Sequence, residues 1–210
     1  MDPTRLYLIR HGQVVGHHEQ RYNGHSDVDI TETGRGQMSL LADFLSRDGI
    51  EAVYSSDLKR AYKGADIIAA KLGLTTKRVH ALRELNFGRW EGLTRDEAVE
   101  RFPDDHGFSF RNLAEDDGLG GENLILLQAR VMPAIEEIIE RHRNKKACLV
   151  LHGGVNRVIL CSAMGLPLKN FFRMEQDYGC LNIIDCFDDG IRVVKLLNRS
   201  SEQSALTTFY

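Results

Sequence analysis

The sequence predicts an α/β fold: a three-layer α/β/α sandwich with a mostly parallel sheet and an antiparallel edge strand. Three observations carry that prediction. Short apolar runs alternate with amphipathic stretches of helical period, the pattern of a parallel sheet covered on both faces. Two of those runs, RLYLIRHG (5–12) and ACLVLHGG (147–154), each end by delivering a histidine and a glycine. Near the C-terminus, two further runs flank Asp189-Gly190, a hairpin signal that adds antiparallel strands over 181–197. Ligands of such sheets collect beyond the carboxyl ends of the strands. His11 and His152 are therefore expected at the mouth of one site.

The elements follow in order. Residues 4–9 read as the first strand. A helix comes next, entered through Thr31 or Thr33, with Met38, Leu41, Ala42 and Leu45 at i, i+3, i+4, i+7. EAVYSS (51–56) is a short strand. The next helix places Leu58, Ala61, Tyr62, Ala65, Ile68, Ala69 and Leu72 on one face, with Ser56 as the expected N-cap and Gly73 as the stop. KRVHAL (77–82) reads as a third strand. Residues 86–122 are less regular, rich in glycine and acids, and read as a helix near 94–102 followed by a mobile loop. A long helix starts near Glu122, with Pro133 as a potential kink. The strand into His152, a helix over 155–165 and the hairpin complete a single domain over 1–210. A lid over 102–122 and a loose tail over 199–210 are the expected mobile parts.

Composition narrows the function classes. The chain has 210 residues, 42% of them hydrophobic, and a formal charge of −3 with its basic residues scattered. Nothing in that balance favours nucleic acid or an acidic membrane as partner. No apolar run approaches the ~20 residues needed to span a bilayer, and the first residues do not read as a signal peptide. Cys148, Cys161, Cys180 and Cys186 form no C-x-x-C pair and read as small buried hydrophobes. Reduced thiols suit a cytoplasmic location.

Two more residues carry chemistry. Arg60 lies in the first turn of its helix, opposite the apolar stripe, where the macrodipole makes a cation unwelcome. It is either a solvated surface arginine or the partner of an anion shared with the helix N-terminus. Glu84, in LRELNFGRWEG, lies between Arg83 and Arg89 and near Phe87 and Trp90. It reads either as half of a surface ion pair or as a proton donor beside aromatic surface.

Taken together, these stretches resemble the histidine phosphatase superfamily, in its phosphoglycerate mutase-like branch, over nearly the whole chain. RHG (10–12), NGHSDVDITETGRGQ (23–37), SSDLKRA (55–61), RELNFGRWEG (83–92) and HGG (152–154) occur in the family's order and approximate spacing. The resemblance implies a phosphomonoester hydrolase, a metal-independent histidine acid phosphatase acting through a phosphohistidine, with no cofactor. His11 would be the nucleophile. Arg10 and Arg60 would clamp the phosphoryl oxygens, His152 in its charged form would complete the clamp, and Glu84 would donate and accept the proton. His17, Asn23, Gly24 and Gly153 are the further candidates for phosphate contact, His17 standing where an asparagine is common. Gln13 replaces a common acid, and Asn156 replaces a bulky apolar residue and is a candidate substrate contact.

Several phrases are most similar to those of alpha-ribazole phosphatases, which makes a small phosphate ester such as alpha-ribazole 5'-phosphate the expected substrate. A mutase-type transfer and a non-catalytic phosphate-binding module stay open as alternatives. A homodimer through the unpaired hairpin edge also stays open. His18 and His142 read as solvent-facing, and His25 as bordering the pocket. A metal cluster among His11, His17, His18 and His25 is not expected, because the spacing matches no recognised zinc pattern.

Overall fold

The computed structural model describes residues 2–107, 113–114 and 119–201. Of the expected lid, 108–112 and 115–118 lie outside the described residues, as does 202–210 of the expected tail. The first tail position, Arg199, belongs to a strand instead.

Among the described residues six strands form one sheet: β1 (Thr4–Arg10), β2 (Ala52–Ser55), β3 (Thr76–Arg78), β4 (Lys146–Leu151), β5 (Leu181–Cys186) and β6 (Arg192–Arg199), in the order β3-β2-β4-β1-β5-β6. The first four run parallel, β5 pairs antiparallel with β1, and β6 pairs antiparallel with β5. This is the predicted fold class. Among the described residues, helices α1 (Glu32–Leu45), α2 (Lys59–Leu72), α4 (Leu124–Arg141) and α5 (Gly153–Met164) cover the faces, while α3 (Arg95–Arg101) lies apart, its Ala98 packed with Trp90 and Leu119. The strand period splits the core in two. Leu6 and Leu8 of β1 face α4 and α5, while Tyr7 and Ile9 face α1 and α2. The predicted apolar positions Met38, Leu41, Ala42 and Leu45 are all buried.

Local details sharpen or correct the sequence reading. Thr31 is the N-cap of α1, its hydroxyl accepting from the Gly34 N–H at 3.0 Å. The N-cap of α2 is Leu58 rather than Ser56, whose hydroxyl is engaged elsewhere. The third strand stops at Arg78, and a single 3-10 turn over His80–Leu82 replaces the rest of the expected strand. Helix α4 runs through Pro133 to Arg141. In the hairpin, Gly190 takes a φ of +87°, and the Ile191 N–H donates to Asp189 Oδ1 at 3.0 Å. All four cysteines are free and buried. His142 is buried too, 2.9 Å from the Tyr54 hydroxyl through Nε2, and not solvent-facing as expected. No helix among the described residues is long and apolar enough to cross a membrane.

Candidate active site

Adjacent parallel strands β1 and β4 bring the two histidines together. Arg10 pairs with Leu151 in register, so the next residues, His11 and His152, emerge side by side. Their rings stand edge to face with centroids 5.2 Å apart. His11 Nδ1 lies 2.9 Å from the Gly12 carbonyl oxygen. A carbonyl only accepts, so Nδ1 carries the proton and Nε2 keeps its lone pair. Burial, with the Arg60 and Arg10 charges beside it, holds His11 well below the ordinary 6.5 and keeps it neutral. His152 is fully buried and is pushed well below 6.5 by burial and then by Arg60, His11 and Arg10. The expected charged form of His152 is therefore not the form this structure favours. Burial, reinforced by the nearby guanidinium charges, disfavours a second proton on this imidazole.

Arg10 and Arg60 are oriented by carbonyls, not carboxylates. Arg10 donates from Nη1 to the Gln176 carbonyl at 2.5 Å, and its guanidinium lies 3.9 Å over the Tyr178 ring. Arg60 is 1% exposed, which excludes the surface reading. Its Nη1 donates to the Ser26 carbonyl and its Nη2 to the Asn23 carbonyl, both at 2.6 Å, and Nη2 also donates to Gly24. Glu91 holds that loop in place, accepting from the His25 and Ser26 N–H groups and the Ser26 hydroxyl at 2.8–2.9 Å. Gly24 has no room for a Cβ, which would strike the Leu85 carbonyl and the Glu91 carboxylate. Its part is close packing beneath Arg60.

Glu84 is fixed by its own loop and by α5. The Leu85 N–H donates to Oε1 at 2.9 Å, and the Gly154 N–H, in the first turn of α5, donates to Oε2 at 3.0 Å. A Cβ at Gly154 would overlap that carboxylate. Neither neighbouring arginine pairs with Glu84. Arg83 pairs with Asp57, and Arg89 with Asp105. From α4, Arg130 reaches under the loop, donating to the carbonyls of Ala81, Arg83 and Glu84 at 2.8 Å each while paired with Glu122.

Arg10, His11, Asn23, Arg60 and Glu84 line a cavity of about 190 Å³. Val14, Arg21, Tyr22, Phe87 and Tyr178 form the rest of its wall. His152 is outside that lining, fully buried behind it with its ring against His11. His17 stands on an exposed 3-10 turn, edge to face with exposed His18, and is not part of the lining. Gly153 lies against Arg10 and Arg157, a Cβ there coming within 3.5 Å of Arg10 Nε. Asn156 is fully buried and donates to Gln176 Oε1 at 3.0 Å, so it serves the interior and not a substrate. His25 is half-buried and lies outside the lining. Tyr178, Gln176, Arg130 and Ser56 were not singled out for the site from the sequence. Ser56 at least stands inside the SSDLKRA motif, whereas a carbonyl acceptor such as Gln176 leaves no signal of its own.

Two histidines set side by side by neighbouring strand ends, with half-buried Arg10 and fully buried Arg60 beside His11 in one small cavity, make an arrangement suited to holding a phosphoryl group. The model of the histidine phosphatase superfamily (branch 1) matches residues 6–199, and the chain belongs to that superfamily. It is 34% identical over 183 residues to phosphoserine phosphatase 1 of Hydrogenobacter thermophilus, covering 85% of this chain and 83% of the relative. It is likewise 34% identical over 202 residues to a bifunctional protein of Mycobacterium tuberculosis, spanning 94% of this chain but only 54% of that longer relative. Among solved structures, mycobacterial glucosyl-3-phosphoglycerate phosphatase superposes with a TM-score of 0.84 at 26% identity, over 94% of this chain and all (100%) of that one. The alpha-ribazole phosphatase of Shigella flexneri gives 0.85 at 24% identity, over 93% and 96%, and speaks to the fold alone.

Proposed function

We propose that the protein hydrolyses a small phosphate monoester through a phosphohistidine at His11. The observation that carries this reading is the Nδ1 bond of His11 to Gly12, which leaves Nε2 as the free lone pair inside a cavity shared with Arg10, Arg60 and Glu84. Nε2 attacks phosphorus while the bond from phosphorus to the ester oxygen breaks. Arg10, Arg60 and His152 hold the three remaining oxygens as charge develops on them. Glu84, in its acid form, gives its proton to the departing alcohol. Water then attacks phosphorus, the resulting carboxylate of Glu84 takes the water's proton, the P–N bond breaks, and His11 returns neutral. The guanidinium groups of half-buried Arg10 and fully buried Arg60 supply the charge compensation, so the scheme needs no metal.

The substrate is the finer part of the proposal. Alpha-ribazole 5'-phosphate rests on sequence phrases, while the 34% identical relative carries the name phosphoserine phosphatase. Both esters belong in the first panel. The class is tested with p-nitrophenyl phosphate in EDTA, comparing the native chain with His11→Ala and following quenched enzyme for protein-bound, acid-labile phosphate. Phosphate release that survives EDTA and disappears with His11 is the expected result. Equal release from both proteins would remove His11 from the role, and transfer of phosphate to an alcohol without release would favour the mutase-type reaction.

A further inference from the structure

The family motif places Ser56 one residue beyond β2, and the sheet register gives it a specific neighbour. Ser55 pairs with Val150 across β2 and β4, so Ser56 comes abreast of the strand end that delivers His152. Both side chains are 0% exposed, and Ser56 Oγ lies 2.7 Å from His152 Nε2. We propose that Ser56 is a positioning residue that donates its hydroxyl proton to His152 Nε2, holding His152 as a neutral Nδ1–H donor aimed at the phosphoryl group.

The proton count supports this direction. Ser56 Oγ already accepts the Leu58 N–H at 3.3 Å. If it also accepted from His152, both lone pairs would be used, and its own hydrogen would be buried facing no acceptor among the described residues. Donating to Nε2 satisfies all of Ser56's hydrogen-bonding capacity that the site can reach. On the imidazole, an Nε2 that accepts leaves Nδ1 as the protonated nitrogen. His152 Nδ1 is fully buried and has no partner within the protein. The opposite tautomer would point a lone pair at an oxyanion. The burial and arginine charges that disfavour a second proton on His152 agree with a neutral donor.

The two histidines then share one tautomer and use it in opposite ways. A backbone carbonyl holds the His11 proton on Nδ1 so that Nε2 is bare. A serine hydroxyl occupies His152 Nε2 so that Nδ1–H is presented. This inference rests on the proposed reaction only in naming the phosphoryl group as what Nδ1–H meets, and the tautomer can be read without any turnover.

The experiment is two-bond proton–nitrogen NMR on histidine-labelled full-length protein, with the His152 signals assigned by their loss in His152→Ala. The native spectrum is expected to show Nδ1 protonated and Nε2 accepting, and inorganic phosphate is expected to shift the Nδ1 proton. Ser56→Ala should lose the tautomer preference and lower kcat by about 10- to 100-fold, below the ~10²–10³ cost of deleting an oxyanion donor outright. KM should change by no more than about 3-fold, because the cradle's arginines are untouched, and Ser56→Thr should restore the native spectrum. A native His152 that is Nε2-protonated or doubly protonated at neutral pH overturns the proposal, as does an unchanged tautomer in Ser56→Ala or no response of Nδ1 to phosphate. Should Ser56→Ala not fold, the native spectrum decides alone, since Ser56 is the group bonded to Nε2. A chain with the expected tautomer but no phosphatase activity would defeat the proposed function and leave this inference standing.

Discussion

His11 and His152 take their places from the sheet, whereas Glu84 takes its place from side chains that reach it across the sequence. The histidines follow paired positions of β1 and β4, and backbone hydrogen bonds of the ladder continue to the residue itself, the His11 N–H donating to Leu151 at 2.9 Å. Glu84 sits on an irregular loop that Arg130 ties from 46 residues away and Glu122 ties through the Asn86 N–H. The two histidines are thus set by strand register, which a single substitution scarcely moves. The Glu84 carboxylate accepts two backbone N–H groups, but the loop that carries it hangs on the side chains of Arg130 and Glu122, each of which one substitution can remove.

This difference can be broken or sharpened by leaving-group chemistry. The largest effect belongs to His11→Ala, which should lower kcat/KM by about 10⁴-fold or more with every ester, as deletion of a nucleophile does. Residual turnover with p-nitrophenyl phosphate would sink the nucleophile assignment. Glu84→Gln comes next. Alkyl phosphates, whose alkoxide needs a proton, should lose roughly 10²–10⁴ in kcat, and p-nitrophenyl phosphate, whose phenolate leaves unaided, should lose no more than about 10-fold. Arg130→Met should reproduce that pattern at smaller amplitude, about 10- to 50-fold on alkyl esters only, as a modest misplacement of a catalytic group does. A uniform loss across esters would mean that Arg130 supports the cradle as well, and the two parts of the site would not be separable.

The smallest effect is on stability. His11, His152 and His142 are all buried and all held below 6.5, with burial the leading cause in each. Between those depressed values and 6.5 the unfolded chain binds more protons than the folded one. Stability is therefore full above about pH 6.5 and falls as the pH drops below it, by up to about 1.4 kcal/mol per pH unit for each histidine. Urea midpoints measured from pH 7.5 to 5.5 should decline. A flat profile over that range would show that these histidines are not held neutral.

The fold was legible from strand period and glycine turns, and the motifs pointed to Arg10, His11, Arg60 and Glu84, which line one cavity, and to His152 beside His11. What escaped was set by contacts a local pattern cannot contain. A helical wheel places Arg60 opposite the apolar stripe, yet the carbonyls of Asn23, Gly24 and Ser26 close over that face and bury it. His142 follows a basic helix end and reads as exposed, but the Tyr54 hydroxyl of β2 meets it. Glu84 was flanked by arginines in sequence, and both found aspartates elsewhere. The role implied by the resemblance calls for a charged His152, whereas burial first, and then the Arg60, His11 and Arg10 charges, push it well below 6.5.

Among the described residues neither Arg10 nor Arg60 has an ion-pair partner, and Arg10 Nε and His152 Nδ1 are buried without any partner in the protein. Folding this chain therefore confines positive charge, and buried nitrogens without a protein partner, where an anion from solution would be favoured. Such an anion binds the native state alone, and at a hundred times its dissociation constant it would add about 2.7 kcal/mol to the unfolding free energy. On the proposed function that anion is inorganic phosphate, and the melting temperature should then rise with its concentration, so that preparations in different buffers would not be the same thermodynamic sample.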